Sequence, residues 1–446
     1  MMTDLRSLIA HWERRQRIIH VTNEVDPDFE LAAIVKSGKG KQPFWFEKVK
    51  GYGVPMISGL GGDRGMLAES MGIPEPELVP KLIDAIVRPL PTHRVERAPV
   101  QENVITGNIR LDERFPICKY HRDDSGRYLV SGVLVVKERN GTKRYTSIRR
   151  MQYLGGNRSS ILISSPELFR QYSEYEKHGE PMEVAVMFGV VPAVILASQI
   201  STHLFHCDKL DVAGRLLGES LPVVPCRTVD LEVLAEAEVV LEGRMLPHLR
   251  EMEGPFGELG GYYGDATMQP VIEFTAVTHR NGPIWQTIYP SGHEEHLPMA
   301  LAREAVLLST VRQVVPEVRE VYVTAGGVGR YHAVIQIEKK SEGDAKQALL
   351  AAFASDKDLK HAVVVNEDVD IRDPLDVEWA IATRVQADLD VFVVPGAKGS
   401  PLEPSHQMRG VSAKMGIDAT YPLREAEAFR RTSVGVPEGF DVSRFL

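Results

Sequence analysis

Two glutamates stand five positions apart in the segment Glu253 to Glu258, which reads Glu-Gly-Pro-Phe-Gly-Glu. The segment cannot be helical, because Pro255 lacks an N–H and fixes its own φ, while Gly254 and Gly257 permit backbone angles closed to other residues. A rigid turn of this kind can hold two carboxyl groups in one cavity, so that one stays ionised beside a cation while the other carries a proton. The alternative is a solvated surface turn. A cationic partner elsewhere in the chain would decide between them.

The composition is that of a globular protein. With 446 residues, 43% hydrophobic and 25% charged, the chain is too long for one core and suggests about three domains. The formal net charge of -9, with no basic run, argues against a nucleic-acid partner. No apolar stretch reaches membrane-spanning length, the first residues do not form a signal-peptide pattern, and the three cysteines show no Cys-x-x-Cys spacing. These features predict a cytoplasmic protein with no membrane partner.

Residues 1–105 alternate helical and strand patterns and predict a small N-terminal α/β domain. Asp4 and Asp26 are expected to cap its first two helices, the second with Pro27 at the first helical position. The run Gly59-Leu60-Gly61-Gly62 either cradles a phosphate or forms an ordinary turn. A second glycine run, at 326–329, lies between two strands and therefore lacks the context of a dinucleotide site.

Residues 106–297 are rich in strands and predict a barrel or strongly bent sheet. Hairpins are expected at 128–151 and at 270–289, each around an Asn-Gly turn. Residues 298–446 are expected to hold most of a long linking helix (297–315) and then alternating strands and helices. That order implies a two-layer α/β sandwich.

The cationic partner lies on the return strand of the first hairpin, in the segment Thr146-Ser147-Ile148-Arg149-Arg150. This segment and the later Glu253–Glu258 turn resemble the UbiD family of prenylated-FMN-dependent (de)carboxylases, whose pattern is Ser-Ile-x-Arg followed by Glu-Gly-Pro-Phe-Gly-Glu. The resemblance extends over most of the chain. Further segments that look like signatures of the family are 213–218, 366–373 with 379–384, and 414–420.

The resemblance implies an α/β (α+β) fold in which a central split β-barrel binds prenylated FMN between N-terminal and C-terminal α/β domains. It also implies a role for individual residues. By match, Arg150, Glu253 and Glu258 fall on the Glu–Arg–Glu catalytic network, and Lys414 falls on the lysine that reaches the cofactor phosphate. The cofactor-binding set that follows is Thr146, Ser147, Ile148, Arg150, Ser165, Lys209 and Lys414.

The implied activity is the reversible non-oxidative decarboxylation of an aromatic or heteroaromatic acid, with furan, pyrrole and furan-dicarboxylate acids preferred. Direct decarboxylation would leave a carbanion in the ring plane, so the substrate carbon needs an electron sink, which the family supplies as a covalent adduct with the modified flavin. Arg150 can stabilise the anion and keep Glu253 ionised. Glu258 is then the expected proton donor.

The family's metal ligands are not conserved in type at the matching positions of this chain. An Asn, a His and a Glu usually hold a divalent ion, commonly Mn²⁺, and by local matching these fall on Tyr145, Ser165 and Lys209. A lysine ammonium cannot be a ligand. We therefore expect the Lys209 ammonium to replace the metal as the counter-charge of the phosphate, assisted by Ser165. The alternative is a different ligand set nearby, such as His203, His206 or Asp208.

The segment His293-Glu294-Glu295-His296 is not a zinc motif, because its histidines are three apart and not four. It is expected to open the linking helix, and acidic residues are common at a helix start. His296 and Arg303 lie seven apart, which is two turns, and could share one face. They are candidates for binding a second polar or carboxylate group of the substrate. The alternative is surface charge.

The expected partners are a small aromatic or heteroaromatic acid, CO₂, and a flavin prenyltransferase as supplier of the cofactor. The resemblance also implies a homo-oligomer that pairs through the C-terminal domain. Two other classes of function stay open at this point. One is an FMN-dependent oxidoreductase on a split barrel, although the sequence lacks a nicotinamide fingerprint. The other is a non-catalytic assembly subunit with the same fold.

Overall fold

The computed structural model describes residues 2–38, 41–201, 207–406, 408–437 and 439–445. Within these residues the chain is a mixed α/β protein whose strands form sheets of four, nine, three, two and five strands. None of the helices described is long and apolar enough to cross a membrane.

The N-terminal part builds a small sheet flanked by helices. Its elements are α1 (Leu5–Arg14), β1 (Ile19–Val25), α2 (Glu30–Ser37), β2 (Phe44–Val49), β3 (Met56–Ser58), α3 (Arg64–Ser70), α4 (Leu78–Val87), β4 (His93–Arg94) and β5 (Asn103–Ile105). Asp4 caps α1 as expected, accepting from the Ser7 N–H. The second cap is wrong: Asp26 accepts from the Asp28 N–H instead, which makes a local turn, and α2 begins only at Glu30.

The central part is strand-rich, as predicted. Its elements are α5 (Leu111–Arg114), β6 (Tyr128–Leu129), β7 (Val133–Lys137), β8 (Arg144–Ile148), β9 (Met151–Gly155), β10 (Arg158–Ile161), α6 (Pro166–Lys177), β11 (Met182–Phe188), α7 (Pro192–Ser198), α8 (Lys209–Leu217), β12 (Pro222–Pro225), β13 (Glu232–Leu234), β14 (Val239–Glu253), β15 (Phe256–Gly257), β16 (Tyr263–Gly264), β17 (Thr267–His279) and β18 (Trp285–Gln286).

The large sheet curls back on itself. Its strand order is β6-β9-β10-β17-β14-β11-β7-β8, and β5 adds to β17. Strands β8 and β9 therefore lie at or next to opposite ends of this path, yet only Arg149 and Arg150 separate them in the chain. A link of two residues cannot span an open sheet, so the two ends must approach each other. The result is a half-barrel whose split is crossed by these two arginines.

The first predicted hairpin is confirmed and the second is wrong. Strands β7 and β8 pair antiparallel from Val133 opposite Ile148 to Lys137 opposite Arg144. The partner of β17 is β14, a strand of 15 residues, whereas β18 pairs in parallel with β3 of the N-terminal sheet. The pairing of β14 with β17 shifts register between Met245 and Arg250. Pro247 lies in that interval, and it hides the long strand from a periodicity analysis.

The C-terminal part is a sheet with helices on both faces. Its elements are α9 (His293–Arg312), β19 (Val318–Val323), β20 (His332–Ile337), α10 (Asp344–Ser355), β21 (His361–Asn366), α11 (Pro374–Arg384), β22 (Val391–Lys398) and β23 (Val411–Asp418), in the sheet order β19-β20-β21-β23-β22. Apolar residues of α9 and α10 pack with Ile335 on one face, and residues of α11 pack with Val334 on the other. The expected two-layer sandwich is therefore wrong, and the domain has three layers.

Candidate active site

Arg150, Glu253 and Glu258 come together from three separate segments. Arg150 is the second residue of the link between β8 and β9, Glu253 ends β14, and Glu258 follows β15. The guanidinium is bidentate on Glu253, with Nε 3.1 Å from Oε1 and Nη2 3.2 Å from Oε2. Its Nη1 donates to Glu258 Oε1 at 2.5 Å. The three side chains thus form one hydrogen-bonded unit.

This unit is almost removed from solvent. The Glu253 side chain is 0% exposed and that of Arg150 is 12% exposed, and the guanidinium lies over the Phe256 ring at 4.5 Å from its centre. Burial raises the pKa of Glu258 above its ordinary value, although Arg150 opposes the shift. Glu258 therefore keeps its proton to a higher pH than an exposed glutamate does.

Two buried side chains hold the turn that carries the two glutamates by accepting hydrogen bonds from its backbone. The Gly254 N–H donates to Gln152 Oε1 at 3.0 Å, and the Gly257 N–H donates to Asp124 Oδ1 at 2.9 Å. A Cβ on Gly257 would lie 2.3 Å from His121 Nδ1. Gly257 is therefore required for a close approach, and the motif has no room for another residue there.

A cavity of about 220 Å³ opens at this unit. Arg150, Glu258 and Phe256 lie on its wall together with Ile148 and Arg149. Charged residues from α9 and the loop before β20 also line it: Glu294, Glu295, Arg303 and Arg330. The cavity therefore combines a buried acid–base unit with further cations, as expected of a site for an anionic molecule.

Arg149 lies in the opposite kind of environment. Among the described residues its guanidinium donates to hydroxyl groups alone: Ser147 Oγ at 3.1 Å, Tyr145 Oη at 3.0 Å and Ser164 Oγ at 3.4 Å. The Lys209 ammonium lies over the Tyr145 ring at 5.1 Å and donates to the Ser198 carbonyl at 2.9 Å. Among the residues that the structure describes, neither cation forms an ion pair with a carboxylate. We call Tyr145, Ser147, Arg149, Ser165 and Lys209 the cationic cluster.

The three positions that match the family's metal ligands do meet in this cluster. Tyr145 Oη is 3.0 Å from Ser165 Oγ, and Lys209 lies against the same ring. Burial raises the pKa of Tyr145, but Arg149 and Lys209 outweigh it and lower the value to about 8, while burial lowers the pKa of Lys209 to about 8. Such groups do not fit a divalent cation, because a hydroxyl, a phenol and an ammonium beside a guanidinium offer it no anionic ligand.

No group of three or more His, Cys, Asp or Glu side chains suited to a metal ion occurs in the described ranges. Of the alternative ligands, His203 and His206 lie outside the described residues. Asp208 caps α8 through the Leu210 N–H and pairs with Arg144 at 2.8 Å. Its carboxylate is thus already engaged in holding the helix.

Lys414, the residue expected to reach the cofactor phosphate, binds backbone carbonyls in this structure. Lys414 Nζ donates to the carbonyls of Asp356, Lys357 and Leu359 at 3.2, 3.0 and 2.6 Å. These bonds use all the N–H donors of an ammonium. Contact of Lys414 with a cofactor phosphate stays a prediction, and it requires at least one of these bonds to be exchanged.

His296 and Arg303 lie on α9 as predicted but face different cavities. Arg303 lines the cavity of Arg150, whereas His296 lines a neighbouring cavity with Asp63 and Arg64 and approaches the Leu259 carbonyl at 2.9 Å through Nε2. Arg303 is held by Asp356 at 3.0 Å and by Asp358 at 3.4 Å. Joint binding of one substrate group by the two residues is therefore not supported by their placement.

Sequence reasoning missed several residues of the site. Arg330 lines the cavity, and both its Nε and Nη2 donate to Asp358, while in the described part of the chain its Nη1 has no partner. Glu295 lines the cavity although it was expected at a solvated helix start. Asp124 holds the Glu253–Glu258 turn from a loop 133 positions away in the chain from Gly257. No local spacing joins these residues to the Glu253–Glu258 motif. Only a family resemblance that extends to their positions could therefore have indicated them.

The glycine run before α3 binds an anion, but the anion belongs to the protein. The Gly59 and Leu60 N–H groups donate to the Glu294 carboxylate at 2.6 and 2.8 Å, and Ser58 Oγ donates to it at 3.0 Å. Burial raises the pKa of Glu294 to about 7 against these bonds. The run therefore acts as a tie between the N-terminal domain and α9, and its N–H groups are not free for a phosphate.

Comparison with known proteins identifies the family of this chain. Three family models match the chain: the N-terminal domain of 3-octaprenyl-4-hydroxybenzoate carboxy-lyase over residues 9–86, its Rift-related domain over 93–293, and its C-terminal domain over 296–419. Anhydromevalonate phosphate decarboxylase of Methanothermobacter thermautotrophicus is 36% identical, over 93% of this chain and 96% of that protein. Gallate decarboxylase of Lactiplantibacillus plantarum is 31% identical, over 96% of each chain.

Solved structures of the UbiD-class enzyme HmfF from Pelotomaculum thermopropionicum are also similar. A complex with FMN is 46% identical, has a TM-score of 0.96, and covers 99% of this chain and 100% of that one. An evolved dimeric form in complex with prenylated FMN is 44% identical, has a TM-score of 0.92 and covers 100% of both chains.

The chain therefore belongs to the UbiD family, as the motifs predicted. Within that family it is a decarboxylase of the carboxy-lyase class, and the predicted split-barrel architecture between two α/β domains is confirmed. A flavin cofactor is supported by the FMN and prenylated FMN of the HmfF structures. The residues of this chain fit an anionic flavin, because Arg149 and Lys209 lack carboxylate partners in the described residues and Thr146 Oγ1, on the other side of β8, is buried there without a hydrogen-bond partner.

Proposed function

We propose that this protein catalyses the reversible non-oxidative decarboxylation of a small aromatic or heteroaromatic acid with prenylated FMN as cofactor. The observation that carries the proposal is the guanidinium of Arg150, shared between the buried Glu253 and the cavity-facing Glu258. A purely structural ion pair would need only one carboxylate. The second one faces the cavity, where an acid substrate would lie.

Each member of the unit has a separate role. Glu253 occupies both Nε and Nη2 of Arg150 and so fixes the plane of the guanidinium. Arg150 then presents its remaining donors to the cavity, where they can hold a carboxylate and stabilise the negative charge that develops as it leaves. Glu258 is the proton donor, because it is the carboxyl group of the unit that reaches the cavity and burial favours its protonated form.

The cofactor would be held on two sides of the split. Thr146, Ile148 and Arg150 alternate on one side of β8 and its extension, and the cationic cluster lies on the other side. When bound, prenylated FMN would supply the electron sink that loss of CO₂ from an aromatic carbon requires. Supply of that cofactor by a flavin prenyltransferase is part of the proposal.

The cationic cluster is proposed to hold the cofactor phosphate without a divalent metal. Arg149 and Lys209 already provide two positive charges, and an added Mn²⁺ would be repelled by both. The hydroxyls of Ser147 and Ser165 can act as further donors to phosphate oxygens. Lys209 would thus take the place that a metal ion has in other members of the family.

Furan, pyrrole and furan-dicarboxylate acids are the proposed substrates. A cavity of about 220 Å³ suits a small ring, and the cations Arg303 and Arg330 can receive a second anionic group at a distance from Arg150. A phosphorylated unsaturated acid is a second candidate. It is favoured by the name of the archaeal relative, anhydromevalonate phosphate decarboxylase, and the same two arginines would then face the phosphate.

The test is a screen of such acids with cofactor-loaded enzyme. The expected result is release of CO₂ without NAD(P)H, together with exchange of solvent deuterium into the ring carbon. Hydride transfer that depends on NAD(P)H would instead establish a flavin oxidoreductase. Absence of CO₂ release and of exchange with every acid, in a protein that retains its flavin, would establish a non-catalytic subunit.

We also propose that the C-terminal domain mediates self-association. The edge strand β22 and the residues beside it expose apolar side chains, with Leu389 70%, Val393 58% and Met408 66% exposed. An edge strand with apolar side chains is a template for pairing with another chain. A homo-oligomer in light scattering, reduced to monomer by Val393→Lys with retained helix and strand content, is the expected result.

A further inference from the structure

Two cavities are lined by neighbouring residues of the Glu253–Glu258 turn. The first is the cavity of about 220 Å³ that Glu258 and Glu295 line, and the second is a cavity of about 420 Å³ lined by Gly257, Ser291 and His121. Gly257 and Glu258, which are neighbours in the turn, therefore line different cavities.

Ser291 ties the two inward-facing glutamates together. Its Oγ donates to the Glu258 carbonyl oxygen at 2.7 Å, and its N–H donates to Glu295 Oε2 at 2.7 Å. The serine adopts a left-handed backbone with φ of 64°. This conformation is unfavourable for a residue other than glycine and is found mainly where the surroundings impose it. The strained residue thus fixes the start of α9 to the catalytic turn.

Glu295 is a carboxyl group that the mechanism does not yet use. Burial raises its pKa, while the charges of Arg150, Arg330 and His121 oppose the shift. The like charge of Glu295 in turn raises the pKa of Glu258 further. Two carboxyl groups that share one cavity do not ionise independently, and the loss of a proton from one favours retention by the other.

We propose that Glu295 returns a proton to Glu258 after each turnover, and that the second cavity supplies that proton from solvent. The inference rests on the proposed function. When Glu258 has given its proton to the substrate carbon and a C–H bond has formed, its carboxylate takes the proton of the Glu295 carboxylic acid. The Glu295 carboxylate then takes one from water, so that one solvent proton enters for each CO₂ that leaves.

His121 marks the solvent side of this route. Its ring lines the second cavity, and its Nδ1 makes no hydrogen bond within the described residues, although Asp124 Oδ2 lies 3.6 Å away. A substrate that fills the first cavity would separate Glu258 from bulk water on that side. Ser291 and Gly292, which lie just before Glu295 in the chain, line the second cavity, so solvent there reaches the start of α9 on a side that the substrate does not fill.

A purely structural role for Glu295 makes a different prediction. Its bond to the Ser291 N–H resembles the carboxylate contacts that stabilise the first turn of a helix. Glutamine retains the acceptor oxygen for that contact but cannot carry the proton. The variant Glu295→Gln therefore separates the two roles, and Glu295→Ala would not.

The decisive measurement compares single and repeated turnovers of the cofactor-loaded enzyme. In Glu295→Gln we expect a first turnover close to the wild-type rate, because Glu258 starts protonated. The steady-state rate should fall by about tenfold or more, with a larger solvent deuterium effect and little change in KM. The matched control is Glu304→Gln, another buried glutamate of α9 that binds Arg64 and is not among the residues lining either cavity, which is expected to alter stability but not the ratio of the two rates.

Equal steady-state rates in Glu295→Gln and wild type would overturn the proposal. So would a first turnover that is slowed in parallel with the steady state, because this would indicate a positioning role alone. An infrared pH titration of the cofactor-free protein tests the same residue without activity: loss of one protonated-carboxyl band in Glu295→Gln, and a shift of that band in Glu258→Gln, support the relay. If the wild-type enzyme released CO₂ from none of the acids screened, the proposed function would be wrong. If the carboxyl band did not shift in Glu258→Gln, the relay would be wrong whatever the result of that screen.

Discussion

Arg149 and Arg150 are neighbours in the chain, yet their side chains lie in opposite electrostatic surroundings. Arg150 is bound by two carboxyl groups of the protein itself, Glu253 and Glu258. In the part of the chain that the structure describes, Arg149 donates to hydroxyl groups alone, and it shares its surroundings with the Lys209 ammonium. The first arrangement is a closed charge network with a proton to move, and the second is a surplus of positive charge that an external anion would complete. One link across the barrel split thus supplies both the chemistry and the binding of a charged cofactor.

The largest expected effect concerns the proton of the closed network. Glu258→Gln keeps the size of the side chain and a hydrogen-bond acceptor for Arg150 but removes the transferable proton. Decarboxylation should fall by about 10²- to 10⁴-fold, the usual contribution of a general acid. The measurement is CO₂ release from a fixed acid with equal flavin loading. Retention of more than about a tenth of the wild-type rate would remove Glu258 from the mechanism.

The next effect is on stability and separates the two arginines directly. Arg150→Met leaves the Glu253 carboxylate buried without its cation, and this should lower the free energy of unfolding by about 3–5 kcal/mol. Arg149→Met leaves no carboxylate behind and serves as the control, with an expected change of about 0.5 kcal/mol or less. Denaturant unfolding of the cofactor-free proteins measures both. Similar losses in the two variants would contradict the contrast.

The cationic cluster should show its effect in cofactor affinity instead. Lys209→Met and Arg149→Met each remove one charged donor, and FMN binding should weaken by about 1.5–3 kcal/mol, or roughly 10- to 150-fold. Fluorescence titration of the apoprotein with FMN checks this. Treatment with a chelator should leave the affinity unchanged in wild type. If a chelator weakened binding and Mn²⁺ restored it, the replacement of the metal by Lys209 would be wrong.

The pH dependence of the reaction should follow the acid form of Glu258. Burial raises its pKa above the ordinary value, so the protonated form persists to higher pH than in an exposed glutamate. Below this pKa the enzyme holds its proton donor, and above it kcat/KM should fall about tenfold per pH unit. A pH profile of kcat/KM, measured with saturating flavin, shows this fall at high pH. A profile that stays flat through and above neutrality would mean that another group donates the proton.

The sequence was informative where a short segment carries its own constraint. The Glu253–Glu258 turn, the Ser147–Arg150 segment and the hairpin of β7 and β8 depend on adjacent residues, and their placement followed from local chemistry and resemblance. Long-range features were not accessible in the same way. β14 is interrupted by Pro247, and β18 leaves the central sheet for another one, so neither follows from a strand pattern.

Adjacent residues can also have unrelated roles that no pattern separates. Glu294 and Glu295 stand together at an acidic helix start, which favours a solvated surface. In the folded protein Glu294 is tied to the Gly59 and Leu60 N–H groups and Glu295 faces the cavity. The cationic cluster is hidden for the same reason, because Tyr145 and Lys209 are 64 positions apart and meet only when α8 packs beside β8.

The smallest effect is expected from Arg303 and Arg330, whose charges are balanced less fully than that of Arg150 and more fully than that of Arg149. Arg303 and Arg330 face the cavity but share Asp358, so part of their charge is already balanced. Arg303 is more fully engaged than Arg330, since Asp356 and the Met299 carbonyl bind it as well. Arg330 Nη1, by contrast, has no partner in the described part of the chain.

We therefore expect Arg330→Ala to reduce the preference for a diacid over the corresponding monoacid by about 1 kcal/mol, and Arg303→Ala by less. Ratios of kcat/KM for furan-2,5-dicarboxylate and 2-furoate, measured in both variants, give the order. If neither ratio changed, the second anionic group would bind elsewhere, and the network of Arg303, Arg330 and Asp358 would serve only to hold α9 against the C-terminal sheet.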